Sequence, residues 1–174
     1  MPTSGNILDR NVGGGAYFDA APYPIRAARM IYGEEPERVA CVMNIDQTRG
    51  IPTQVDMILA FADGASALIS SAFGSYYQSY YDILGTQGRI RTERAFPVGP
   101  ERSVQIFVST NDETQAISIA PADHFQLMVD NFCDVITGEK TADFESDLMA
   151  QARVLEAGSI AFKEARTVSL SELK

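Results

Sequence analysis

The sequence has few of the residues that most often bind metal ions. It contains one histidine, His124, and two cysteines, Cys41 and Cys133, which lie far apart in the chain. This set excludes the usual zinc-ligand spacings and a disulfide framework. Free, buried thiols in a reducing compartment account for the cysteines most simply, which favours a cytoplasmic protein. We therefore predict no metal site.

Clustered positive charge is also absent. Lysine and arginine number 14 against 23 acidic residues, for a net charge of −9. A chain with this balance is a poor partner for a nucleic-acid backbone or an anionic membrane surface. No apolar run approaches the length of a membrane span, and the N-terminus lacks the form of a secretion signal. A small-molecule partner remains, and one or two arginines suffice to bind an anionic group on it.

Two groups of catalytic motif are missing. No predicted strand is followed by G-x-G-x-x-G, and there is no Walker loop. The segment Gly64-Ala65-Ser66-Ala67-Leu68 lacks the second glycine of a nucleophile elbow. The sequence therefore shows no serine nucleophile that His124 could activate as a general base. The chain by itself is therefore not expected to bind a dinucleotide tightly or to act as a serine hydrolase.

What is present indicates a single globular domain over residues 1–174, since 45% of the residues are hydrophobic. From Glu37 onward apolar residues recur with a period of two, and turn residues such as Asp63-Gly64 separate the runs. Two segments with helical periodicity follow, and Asp123 is the predicted N-cap of the first. The predicted strands cover residues 38–47, 53–62, 65–74, 79–85, 89–93, 104–109 and 115–120 with a short edge strand at 167–170, and the predicted helices cover 123–138 and 145–165.

This order predicts an α+β fold with an open, mostly antiparallel sheet and helices packed on one face. Apolar residues also lie on the other side of the strands, namely Ile58, Ala60, Leu68 and Ala72. Strands that are apolar on both sides are usually covered on both sides. We therefore predict a homo-oligomer through the uncovered sheet face. The alternative is that these residues are scattered surface positions.

The stretch around Asp19 and Tyr23 carries the most chemical information. It follows the glycine run Gly13-Gly14-Gly15, and the two side chains are four residues apart, so a helix would place them on one face. A tyrosine beside a carboxylate can act as an acid/base pair. A capping aspartate and a core tyrosine are the structural alternative. Pro22 and Pro24 predict a kink in a helix spanning residues 15–32.

These residues resemble the second-domain motif of the Gfo/Idh/MocA oxidoreductases, in which a glycine pair precedes Asp, three residues, and then His or Tyr. The chain has Asp19-Ala20-Ala21-Pro22-Tyr23, the tyrosine form. The segment from Pro24 to Arg29 is most similar to members that reduce keto groups on nucleotide-linked sugars. The resemblance covers nearly the whole chain and identifies it as the C-terminal substrate-binding and assembly domain. It implies that the N-terminal Rossmann domain is absent from this chain.

The resemblance implies roles for particular residues. Tyr23 takes the position of the proton donor or acceptor and Asp19 that of its partner carboxylate. Apart from the resemblance, we predict that Arg26, three residues beyond Tyr23, and Gly15 bind substrate. NAD or NADP would be bound mainly by the absent domain, which also carries the catalytic lysine in a Glu-Lys-Pro motif. No Glu-Lys-Pro occurs here. No cofactor and no activity are therefore expected for the isolated chain.

Two functions remain open at this stage. The first is the substrate-binding half of an NAD(P)-dependent oxidoreductase acting on a sugar, nucleotide sugar or polyol. The second is a stand-alone ligand-binding or oligomerisation module without a cofactor domain. Arg26 and Arg29 either bind a substrate anion or pair with nearby acids. The tyrosines at 76, 77, 80 and 81 either pack across strands, which we favour, or line a ligand site.

Overall fold

The structure is a computed structural model, and it describes residues 6–173. These residues form two compact units, one from the parts of the chain before residue 76 and after residue 142, and the other from 76–142. The prediction of a single domain is not tested by this division. The helices are α1 Ala16–Asp19, α2 Pro22–Tyr32, α3 His124–Ile136 and α4 Phe144–Glu164, and the strands are β1 Arg38–Ile45, β2 Pro52–Ala60, β3 Ser66–Ala72, β4 Tyr81–Leu84, β5 Arg89–Thr92, β6 Val104–Ser109, β7 Thr114–Ile119 and β8 Val168–Ser169.

The α+β class and the antiparallel pairing are confirmed. The described strands form two four-stranded sheets, in the orders β3-β2-β1-β8 and β4-β5-β6-β7, rather than one meander. The hairpin signals place the turns correctly. At the β2–β3 turn the Asp63 carboxylate accepts from the amide of Ala65 at 2.9 Å, and Gly64 has a φ of +86°. Such a positive φ is the conformation that glycine adopts without a steric cost.

The first unit has a layer of helices on one face of its sheet, as the sequence predicts. Helix α4 packs on β1, and α1 packs on β2. Strand residues alternate between buried and exposed, which is the pattern of a sheet covered on one side. The core consists of Val39, Cys41, Val55, Met57, Leu59, Phe61, Ile69 and Val168 from the sheet with Ala16, Tyr17, Ala21, Ile25, Ala28, Val154, Ala157 and Ala161 from the helices.

The inner face of α4 agrees only in part with its sequence pattern, which favours Leu148, Ala152, Leu155, Ser159 and Phe162. Leu155 and Phe162 pack against the core, whereas Leu148 is exposed. The fully buried positions of the helix are Val154, Ala157, Gly158 and Ala161. Small residues let a helix lie close to the layer beneath it. At Gly158 a Cβ atom would lie only 2.5 Å from the hydroxyl oxygen of Tyr17.

The opposite face of the first sheet is open. Ala40, Ile58 and Leu68 are aligned across β1, β2 and β3. Ile58 and Leu68 are exposed, Leu68 to 79%, and Val42 beside them is exposed as well. The structure therefore confirms the prediction that one side of the sheet carries Ile58, Ala60, Leu68 and Ala72. Among the residues that the structure describes, no helix combines the length and apolar character of a membrane span.

Candidate active site

The predicted kink between Asp19 and Tyr23 is present. Helix α1 ends at Asp19, and α2 begins at Pro22. The amides of Ala20 and Ala21 both donate to the carbonyl of Ala16, at 3.1 and 2.9 Å. A proline tolerates the first turn of a helix because its missing N–H has no partner there. The break therefore places Asp19 at the end of one helix and Tyr23 in the first turn of the next, and both side chains are exposed.

The glycine run serves close packing of the backbone. The amide of Gly14 donates to the carbonyl of Asp9 and that of Gly15 to Ile7, each at 2.8 Å. Gly15 is buried, has a φ of +112°, and a Cβ there would lie 2.6 Å from the Cδ atom of Pro52. Its amide hydrogen is thus already bonded within the chain. The geometry of Gly15 fixes where α1 begins, and its assignment to substrate binding stays a prediction.

A buried arginine holds α2 against α4. Arg29 is only 4% exposed. Its Nε and Nη2 atoms donate to the two carboxylate oxygens of Glu35 at 2.6 and 2.7 Å, and Nη2 also contacts Asp147 at 3.1 Å. Hydrogen bonding to Glu35 raises the pKa of Arg29 above its ordinary value, so the guanidinium stays charged. Arg29 therefore pairs with acids, the structural alternative considered from the sequence, and one of them, Asp147, is distant in the chain.

Two residues of α4 extend this network towards Tyr23. The second carboxylate oxygen of Asp147 pairs with Nη2 of Arg26 at 3.1 Å. Gln151 accepts from Arg29 at 2.9 Å and donates to the carbonyl of Pro22 at 3.1 Å. The first turn of α2 is thereby tied to α4 immediately beside Tyr23. Asp147 and Gln151 are four residues apart, so the helix places them on the same face, and this spacing is the feature of the sequence that could have indicated the network.

The hydroxyls of Tyr17 and Tyr23 have different environments. Tyr17 is buried, and its hydroxyl donates to the backbone carbonyl of Leu155. Burial raises the pKa of Tyr17 well above its ordinary value. The Tyr23 side chain is 57% exposed. Of these two tyrosines, Tyr23 is the one that a substrate can reach.

Arg26 is the accessible cation of this region. Its side chain is 48% exposed and makes its ion pair through one nitrogen, Nη2. A guanidinium offers five N–H donors, so an arginine paired at one nitrogen retains donors for an incoming anion. The site thus combines a phenol and a guanidinium on the first two turns of one helix.

The tyrosine-rich segment belongs to the second unit and makes packing contacts. The hydroxyl of Tyr77 donates to the carbonyl of Phe96 at 2.6 Å. The guanidinium of Arg94 lies 4.6 Å from the ring centre of Tyr77, and that of Arg91 lies 5.4 Å from the ring centre of Tyr80. These are cation–π distances. The contacts agree with the packing interpretation of this segment.

Neither a metal nor a dinucleotide finds its usual ligands here. Between residues 6 and 173, no group of three or more His, Cys, Asp or Glu side chains is placed to hold a metal ion. His124, at the start of α3, lies against the neighbouring ring of Phe125 in a tilted arrangement. The amides of Gly14 and Gly15 are engaged in the backbone bonds described above, and among residues 6–12 no strand precedes the run. These residues therefore do not form a dinucleotide-binding cradle.

Comparison with known proteins gives consistent matches. The family model for the GFO/IDH/MocA C-terminal domain matches residues 2–91, which is more than half of the chain. An uncharacterised oxidoreductase of Rhizobium meliloti is 31% identical over 135 residues, covering 75% of this chain and 40% of that protein. An NADP-dependent D-xylose 1-dehydrogenase of Haloferax volcanii is 26% identical over 151 residues, covering 86% of this chain and 46% of the enzyme.

A solved structure has the same fold. The 3-ketoreductase KijD10 of Actinomadura kijaniata, in complex with NADP and TDP-benzene, superposes with a TM-score of 0.86 at 24% identity. The superposition covers 93% of this chain and 50% of the ketoreductase. The chain thus spans about half the length of the relatives that it matches.

Proposed function

The chain belongs to the GFO/IDH/MocA oxidoreductase family as a C-terminal domain, and on this basis we propose that it forms the substrate-binding half of an NAD(P)-dependent oxidoreductase. The substrate is a sugar, nucleotide sugar or polyol. The observation that carries the proposal is the placement of Tyr23, whose exposed side chain lies in a helix turn anchored by Gln151 to α4. The relatives include a D-xylose dehydrogenase and a 3-ketoreductase bound to a TDP compound, which supports this substrate class.

In the proposed reaction the residues of this chain handle the proton on the substrate oxygen. Tyr23 donates it during reduction and accepts it during oxidation, and Asp19 is the carboxylate that orients the exchange. Arg26 binds an anionic group of the substrate, such as a phosphate. Gly15 sets the start of α1 and so positions Asp19. The hydride belongs to the nicotinamide cofactor, as it does in such enzymes generally.

The cofactor is assigned to a nucleotide-binding domain outside this chain. The sequence contains no Glu-Lys-Pro and no strand followed by G-x-G-x-x-G, and the glycine run has its amides bonded internally. The choice between NAD and NADP lies with that domain. The stand-alone module is not favoured, because the relatives matched here are named as oxidoreductases.

A measurement of native mass and activity tests this function. We expect an immunoblot of source cells to show the chain within a protein about twice its mass, as two domains of this size require. The detected protein should be in the cytoplasmic fraction, where the free thiols of Cys41 and Cys133 stay reduced. The native protein should oxidise or reduce sugar substrates with NAD(P), and the purified 174-residue chain should not. Turnover by the purified chain, or a native protein of its own size without a cofactor-binding partner, would contradict the proposal.

The open face of the first sheet is proposed as the contact between copies of the protein. Ile58 and Leu68 are neighbours on this face and exposed, and Val42 widens the apolar patch. Exposed apolar patches of this kind mark interaction surfaces. A sheet face of this sort suits an isologous dimer, because the same patch serves both copies.

A charge placed in this patch tests the contact. We expect Leu68→Lys to convert the assembly to a monomer in light scattering, because Leu68 is 79% exposed and the lysine would be desolvated only in the assembly. Gln115→Lys, at an exposed position of β7 in the second sheet, is the control for an added charge outside this face. The thermal midpoint of a monomeric Leu68→Lys protein should change little. An assembly that is the same size with and without the substitution would rule out this face.

A further inference from the structure

Helix α3 is well formed but has an unusual surface. Its N-terminus is capped by Asp123, whose carboxylate accepts from the amides of Phe125 and Gln126 at 3.0 and 3.2 Å. The helix runs for 13 residues, and none of its described residues is buried. A helix of this length is only marginally stable in water by its own propensity. Its stability therefore depends on covering its apolar side.

Four apolar side chains of α3 form one stripe. Phe125, Met128, Val129 and Ile136 follow the i, i+3, i+4 spacing, so they project from one side of the helix. Each is more than half exposed, with values of 66%, 61%, 54% and 67%. These four residues are called the α3 stripe below. The other side carries Asp130 and Asp134, and Asp134 forms an ion pair with Lys140 at 2.6 Å.

The α3 stripe is large enough to be an interface. Four half-exposed side chains of this size present on the order of 400 Å² of apolar surface, since a large side chain buries about 150–250 Å². The largest contiguous apolar patch on a typical monomeric protein measures roughly 300–600 Å² and is often functional, and the α3 stripe falls in this range. An exposed apolar stripe of this size indicates a partner that covers it.

The size of the α3 stripe distinguishes between two possible partners, a second copy of the protein and another domain of the same chain. A second copy bound through this helix alone would bury well under the ~1,600 Å² of a standard stable interface. An interface between domains held together by a chain is stable at about 600–1,500 Å², because the partners are already close. A single helix face can bury an area in this second range, about 600–1,500 Å², and the α3 stripe therefore fits a contact between domains.

The relatives are about twice as long as this chain. The matched family model describes a C-terminal domain, and the chain covers 40% to 50% of the relatives reported above. Each relative therefore contains about as much protein again outside the matched part. We propose that the α3 stripe is the surface on which the nucleotide-binding domain docks; this inference rests on the proposed function, which requires such a domain.

Cys133 gives a direct measurement of docking. It lies on α3 one turn beyond Val129 and is exposed, whereas Cys41 is buried in the core of the first unit. Burial raises the pKa of Cys41 to about 11, which further slows its alkylation at neutral pH. The two thiols thus report separately on the surface of α3 and on unfolding of the core. The measurement is the rate of modification by a maleimide that adds a resolvable mass.

We expect Cys133 to react quickly in the purified 174-residue chain and at least ~10-fold more slowly in the native protein, because docking removes it from solvent. Val129→Glu in the native protein should restore the fast rate, since glutamate preserves helix propensity but cannot be buried against an apolar surface. Leu127→Glu is the matched control. Leu127 is 58% exposed, close to the 54% of Val129, and projects about 160° away around the helix. Cys41 should remain slow in every variant.

Three results would overturn the inference. The first is a native protein in which Cys133 reacts as fast as in the purified chain. The second is equal effects of Val129→Glu and Leu127→Glu. The third is protection already present in the purified chain and lost together with self-association in Val129→Glu, which would assign the stripe to a second copy.

The outcome is separable from that of the proposed function. If Tyr23→Phe abolishes turnover while Cys133 reacts freely, the function stands and the docking surface is wrong. If Cys133 is protected and turnover does not depend on Tyr23, the docking surface stands and the assigned chemistry is wrong.

Discussion

Replacing Tyr23 by phenylalanine is expected to lower kcat/KM of the native enzyme by about 10²–10⁴-fold, the usual contribution of a general acid or base. The substitution removes only the hydroxyl oxygen, so the α2 turn and its bond from Gln151 to the Pro22 carbonyl remain. Because the Tyr23 side chain is 57% exposed, stability should be nearly unchanged. Steady-state kinetics with the sugar substrate and NAD(P), together with a thermal melt, check both parts.

Tyr32→Phe is the matched control for this experiment. Tyr32 lies at the other end of α2, and its hydroxyl donates to the carbonyl of Ser66 at 3.2 Å. Its loss should leave kcat/KM within a few-fold of the native value. Arg26→Gln should instead raise KM more than it lowers kcat, because a binding contact affects substrate and transition state alike. Comparable activity in the Tyr23→Phe and Tyr32→Phe enzymes would refute the assigned role of Tyr23.

Gly15→Ala is expected to destabilise the first unit by about 2–5 kcal/mol, the sum of backbone strain and overpacking. The φ of +112° disfavours any residue with a Cβ atom, and that atom would lie 2.6 Å from Pro52 Cδ and 2.8 Å from its carbonyl oxygen. A backbone atom cannot move aside as a flexible side chain can. A loss of this size is a large fraction of a typical stability of 5–15 kcal/mol.

Gly33→Ala separates the two contributions. Gly33 ends α2 with a φ of +69°, and a Cβ there would meet nothing within 4 Å. The control variant therefore carries the conformational cost alone, about 1–2 kcal/mol. Urea unfolding followed by far-UV circular dichroism measures the difference, since the chain contains no tryptophan to serve as a fluorescence probe. If the two variants lose equal free energy of unfolding, Gly15 is not packed against Pro52 as described.

Much of the fold could be predicted because the relevant interactions are local. The antiparallel strands follow from alternation along the chain, and the β2–β3 turn follows from Asp63-Gly64, whose side chain and positive φ close it. The cap of α3 at Asp123 and the break at Pro22 have similarly short-range causes. The motif around Asp19 and Tyr23 was also visible, since it needs only residues four apart.

The tertiary structure decided the features that depend on distant residues. Arg29 bonds to Gln151, 122 positions along the chain, and no local pattern indicates that pairing. The buried positions Ala157, Gly158 and Ala161 of α4 are small, and Tyr17 and Met57 lie directly against Gly158, a requirement that the helical periodicity of the sequence does not reveal. The exposure of the α3 stripe was also hidden, because an apolar helix side has the same periodicity whether a partner covers it or not. The sequence by itself thus determined the secondary-structure elements and the candidate catalytic residue Tyr23. The tertiary structure determined which residues hold Tyr23 in place, because contacts between distant residues form only when the chain folds.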